Sequence, residues 1–167
     1  NGDIAYVGTI EGKLYKATGL SDAVTELAAI GQAEVPAVPG VDGTDSIPAV
    51  PAIPSDILFE EIAIDSIFNG QAITSIAINP NDINNVIVTL GNYGNSNYVF
   101  ESTDGTTFTA KQGNLPTTPV YSSLIESETG KVFVGTEEGL YVSEDMIEWV
   151  QDTKIKDVPV MDIKQQL

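Results

Sequence analysis

YVFESTDGTTF, at Tyr98–Phe108, and GLYVSEDMIEW, at Gly139–Trp149, are one phrase written twice. Phe100 aligns with Tyr141, Ser102 with Ser143, Asp104 with Asp145 and Phe108 with Trp149, and every pair has an offset of 41. Four chemically matched pairs at one offset are hard to obtain by chance. A fixed internal period points to a fold built from stacked copies of one unit.

The repeat extends upstream. AITSIAINPNDINNVIVTL starts at Ala72 and PVYSSLIESETGKVFVGT at Pro119. Each reads as an alternating apolar strand, a polar turn and a Val/Ile-rich strand. Ile73 matches Val120 at an offset of 47, and the six extra residues fall in GNYGNSN, Gly91–Asn97, as a longer hairpin loop. A third copy opens the chain, because VGTIEGKLY at Val7–Tyr15 follows VGTEEGLY at Val134–Tyr141 with one residue inserted. A fourth begins at VPVMDIK, Val158–Lys164, which echoes TPVYSSLI at Thr118–Ile125.

Four short strands in about 40–47 residues is the period of a propeller blade. The expected fold is therefore all-β, a partial β-propeller of four-stranded antiparallel blades. One blade is placed at residues 72–112 and another at 119–153. An interrupted blade uses residues 1–30 and 57–66, with FEEIAID (Phe59–Asp65) as its fourth strand, because Phe59 precedes Ile73 much as Phe108 precedes Val120. Residues 158–167 are expected to be the first strand of a further blade. Residues 31–57 carry Pro36, Pro39, Pro48, Pro51 and Pro54. That density excludes helix and central strand, so the stretch reads as an extended surface insertion, with a partner-recognition arm as the alternative.

Ser-x-Asp-x-x-x-aromatic marks both hairpins: Ser102, Asp104 and Phe108 in one, Ser143, Asp145 and Trp149 in the other. Ser and Asp side chains bond the backbone of their own turn, Gly105 can take a positive φ, and the aromatic folds beneath. These residues resemble the Asp-box, or BNR, repeat, whose pattern is Ser-x-Asp-x-Gly-x-x-Trp. Both copies here bring the aromatic one position early, and the second has Met146-Ile147 where glycine is usual. SIAINPNDINNVIV is also similar to the blade phrase of sortilin-type ectodomains and xyloglucanase-type glycosidases. The resemblance implies a propeller and a structural role for Ser102, Asp104, Gly105, Phe108, Ser143, Asp145 and Trp149.

Composition removes several functions. The net charge is −17, with seven lysines and no arginine. Such a chain repels phosphate backbones and anionic lipid surfaces. It lacks Cys and His, hence thiol nucleophiles, imidazole acid–base chemistry and disulfides. Sialidases, which share Asp-boxes, hold their substrate carboxylate with arginines, and none is present to do so. A glycosidase needs two carboxylates across a cleft. Glu60-Glu61, Glu137-Glu138 and Glu144-Asp145 read instead as solvated turn or strand residues. No apolar run reaches the ~20 residues of a membrane span, and no signal peptide opens the sequence.

No catalytic, cofactor or metal residue is assigned, and no cofactor is expected. Calcium is the one ion entertained, at Asn81 and Asp82 of the turn Asn79–Asn85, where hard oxygens gather without the spacing of a calcium loop. The loop Gly91–Asn97, which presents Tyr93, reads as a long hairpin tip, with a ligand-facing loop as the alternative. The expected function is a non-catalytic scaffold or interaction module of a larger secreted or cell-surface bacterial protein. It would have a protein partner, or the rest of a longer polypeptide, and neither nucleic acid nor membrane insertion. The alternatives are a fragment of a glycan-active enzyme and a carbohydrate- or peptide-binding propeller face.

Overall fold

Val86–Leu90 is a continuous run of aliphatic and threonine side chains, and each is at most 1% exposed. An unbroken run of this kind is what a strand needs when both of its faces are covered. It lies in the computed structural model of the chain, which describes residues 3–20, 57–63 and 67–166. The regular elements formed there are eleven β-strands in three antiparallel sheets. Of the insertion 31–57, all but Ile57 lies outside the described residues, as do residues 21–30 and 64–66 of the interrupted blade.

The first sheet joins β1 (Ile4–Gly8), β2 (Leu14–Thr18) and β3 (Leu58–Ile62) in that order. The second runs β4 (Ile73–Asn79), β5 (Asp82–Leu90), β6 (Val99–Ser102) and β7 (Thr109–Ala110). The third is β8 (Val120–Ile125), β9 (Val132–Thr136), β10 (Gly139–Ser143) and β11 (Val150–Lys156). Both four-stranded sheets are meanders, each strand pairing with its neighbours in sequence. The bulge is repeated as well. Ladder β4–β5 shifts between Ile73 and Ser75, and ladder β8–β9 shifts between Val120 and Ser122.

The chain divides into two compact units, Asn1–Ala5 with Lys16–Glu60 and Tyr6–Tyr15 with Glu61–Leu167. In the first, Ala17 is buried while Leu58 and Phe59 stand in solvent. The second contains both complete sheets. Its core includes Leu14, Phe68, Val88, Tyr98, Phe100, Phe108, Val120, Val134, Tyr141 and Trp149. The inner strands of its two sheets touch: the Ser123 N–H donates to Ser75 Oγ at 3.1 Å and their hydroxyls lie 3.0 Å apart.

Glycine marks a junction that is repeated in this unit. The Ile73 N–H donates to the Thr9 carbonyl at 3.0 Å, and the Val160 N–H donates to the Thr136 carbonyl at 2.9 Å. A Cβ on Gly8 would meet Ile73 Cγ2 at 2.4 Å, and one on Gly135 would meet the Val160 carbonyl oxygen at 2.4 Å. The repeated Val-Gly-Thr is therefore a seat for the residue that opens the next repeat.

Two expectations need correction. Phe59, placed as the counterpart of Phe108, is 64% exposed, although it does lie in a strand. The buried aromatic is Phe68, edge-on to Phe100 (centroids 5.2 Å) and Phe108 (5.7 Å). Phe68 precedes the inner strand β4, so its ring enters the core, whereas Phe59 sits on a strand that, among the described residues, has β2 alone beside it. Residues 158–166 form no strand. No described segment pairs with them in a ladder, and they are held instead by single contacts. Besides the Val160 bond, Ser122 Oγ donates to the Val160 carbonyl at 3.3 Å and Gln165 Nε2 donates to Ser127 Oγ at 3.1 Å.

Candidate functional site

The two hairpins share one burial rhythm. From Ser102 to Phe108 and from Ser143 to Trp149, the first, fourth and seventh residues are buried and the others exposed. Their hydrogen bonds match as well. Ser102 Oγ accepts the Gly105 N–H at 2.9 Å, and Ser143 Oγ accepts the Met146 N–H at 2.8 Å. Asp104 Oδ1 accepts from Thr106 N (2.8 Å) and Thr107 N (2.7 Å); Asp145 Oδ1 accepts from Ile147 N (2.9 Å) and Glu148 N (3.0 Å). Each serine hydroxyl reaches its aspartate, at 2.9 and 3.2 Å.

The turn demands a left-handed residue at its fourth position. Gly105 supplies φ 75°, and Met146 adopts φ 56° in the same place. A side chain there is strained by ~1–2 kcal/mol. Met146 offsets that by burying its side chain, which is 8% exposed. The missing glycine of the second hairpin thus leaves the turn geometry intact.

Backbone N–H donors set the charge state of both aspartates. The Thr107 amide first, then Thr106, holds the Asp104 carboxyl well below the usual carboxylate range. The Glu148 amide, then Ile147, lowers the pKa of the Asp145 carboxyl. These groups remain ionised at neutral pH and have their acceptor capacity directed into their own turns. The aromatics are anchored beneath, Phe108 at 5% and Trp149 at 4% exposure. Asn114, which the sequence reading passed over, clasps the second hairpin: its Oδ1 accepts the Trp149 N–H at 2.6 Å and its Nδ2 donates to the Trp149 carbonyl at 3.2 Å. The two residue sets lie in separate sheets.

Over the second hairpin is an open depression of about 400 Å³, lined by Lys131, Val142, Glu144, Glu148 and Val150 among others. Its one cation is already paired, Lys131 Nζ with Glu144 Oε1 at 2.8 Å. In the turn Asn79–Asn85, Asn79 Oδ1 accepts from Asn81 N (2.9 Å) and Asp82 Oδ1 from Asn84 N (3.0 Å). Asn81 Nδ2 donates to the Ser127 carbonyl at 2.7 Å, so its amide serves to join two turns. Among the described residues no group of three or more Asp or Glu is placed to hold a metal ion.

A second cluster lies where the long loop 91–98 meets the start of β8. Tyr93 is 70% exposed. The Tyr121 hydroxyl donates to Glu137 Oε2, and Glu137 first, with burial and Tyr93 adding, pushes that phenol up to about 12.

Repeated four-stranded antiparallel meanders, with aromatics buried beneath matched hairpins, define a β-propeller. The model of the DUF6242 beta propeller domain matches residues 66–161, and the chain belongs to that family. No curated protein and no solved structure matches it.

Proposed function

We propose that this propeller segment is a non-catalytic scaffold and interaction module of a larger secreted or cell-surface bacterial protein, and that its two matched hairpins are Asp-box turns with a structural role. The observation that carries the reading is the use made of Asp104 and Asp145. Each binds two backbone amides and a serine hydroxyl of its own turn, and each has a depressed pKa. A general acid needs the opposite, a carboxyl that keeps its proton near neutral pH. The likeness to Asp-box blades agrees with this reading, since the resemblance implies a structural role for the boxes and leaves function to be argued from the site.

Incubation of the purified chain with sialosides and with β-glucans tests this. No hydrolysis is expected. Robust turnover that disappears on replacing a single Asp or Glu would overturn the proposal in favour of a glycan-active enzyme.

A further inference from the structure

Tyr93, Tyr121 and Glu137 lie outside the two Ser-x-Asp turns. The loop that carries Tyr93 is longer than its counterpart in the next repeat by six residues. It is fixed in place. Asn92 Oδ1 accepts the Ala72 N–H at 3.1 Å, Asn95 Nδ2 donates to the Asn92 carbonyl at 3.0 Å, and the Asn95 N–H donates to the hydroxyl of fully buried Tyr98 at 3.2 Å. A loop secured at three points nevertheless leaves an aromatic ring 70% in solvent. An aromatic ring already held in place meets a ligand at little conformational cost. Tyr93 interacts with Tyr121, whose hydroxyl donates to one carboxylate oxygen of Glu137. A carboxylate accepts at two, so the group can serve a ligand as well.

Aromatic faces next to a carboxylate suit a cation, which gains from the ring quadrupole and from the negative charge together. The whole-molecule field points the same way, because a net charge of −17 draws cationic ligands and turns anions away. We propose that Tyr93, Tyr121 and Glu137 form a docking corner for a lysine or arginine side chain of a basic protein partner. This rests on the reading of the chain as an interaction module and names the chemistry of its partner.

The test is a fluorescence-anisotropy titration of the full chain with a labelled peptide bearing two arginines between glycine and serine spacers. Wild type should bind, and Tyr93→Ala and Glu137→Gln should each weaken binding about fivefold, the worth of one exposed cation–π or charge contact. Glu128→Gln, the same charge change at an exposed turn residue, should leave affinity within about twofold. Tyr121→Phe, which keeps both the ring and the carboxylate, should leave affinity within about twofold, and Tyr93→Ala, at an exposed loop position, covers the case of a misfolded Glu137 variant. Equal losses for Glu137→Gln and Glu128→Gln would reduce the effect to bulk charge and overturn the inference. No binding by wild type would overturn it too. So would binding of a neutral oligosaccharide that Tyr93→Ala abolishes while the peptide titration is unchanged. Hydrolytic turnover would instead count against the module reading and leave the titration standing.

Discussion

Ser143→Ala removes the oxygen on which the second hairpin closes. Ser143 is 3% exposed, and its Oγ is the acceptor for the buried Met146 N–H at 2.8 Å. Alanine fits the space but leaves that amide unpaired where water does not reach, at a cost of about 1–3 kcal/mol. The Glu148 carbonyl also loses a donor at 2.8 Å, but it belongs to an exposed residue that water can serve. A loss near 2 kcal/mol corresponds to a fall in Tm of about 4–8 °C for a chain of this size. Ser102→Ala is the matched experiment, since Ser102 is 1% exposed and accepts the Gly105 N–H at 2.9 Å. The two variants should lose comparable stability in urea or thermal unfolding. Thr106→Ala, exposed in the Ser102 turn, should stay within about 0.5 kcal/mol of wild type. If Ser143→Ala behaves like Thr106→Ala, the serine is not the pivot of the turn and the equivalence of the hairpins loses its energetic basis.

Phe68→Ala should be the more damaging change, at about 3–5 kcal/mol, because a fully buried ring that meets both Phe100 and Phe108 leaves a cavity between them; chemical unfolding with an unchanged m-value checks it. Acid should destabilise the chain through its turn carboxylates. The folded-state pKa values of Asp104, Asp145 and Glu126 are all depressed, Glu126 from 4.5 to about 2 by the Thr129 hydroxyl and the Glu128 and Thr129 amides. A depressed carboxylate stabilises above its unfolded pKa and loses that contribution as pH falls through the folded one. Tm should therefore be level near neutrality and drop between pH 4.5 and about 2, and a Tm that held steady through that range would contradict the turn chemistry.

The architecture was legible because a repeat reports it twice. Strand order, the hairpins and the burial of Phe108 and Trp149 all follow from two aligned phrases. Phe68 was hidden for a specific reason. The residue 47 positions on is Leu115, also buried, so the repeat keeps an apolar plug there but not an aromatic one. Aromatic matching alone therefore points to Phe59. Met146 was opaque because side-chain identity alone does not announce a positive φ; the matched position of Gly105 was the available signal. Residues 158–166 have the strand pattern, but a strand needs a partner, and pattern does not show whether one is present. The Tyr93, Tyr121 and Glu137 corner joins residues from two repeats, at positions where the repeats differ, so periodicity gave no hint of it.

An experimental structure of the chain tests the central claim most directly, by superposing residues 73–110 on residues 120–156. The blades should overlay strand for strand, with Phe108 upon Trp149 and Met146 at the positive φ of Gly105. Sheets of different strand order, or aromatics on opposite faces, would contradict the propeller-blade account.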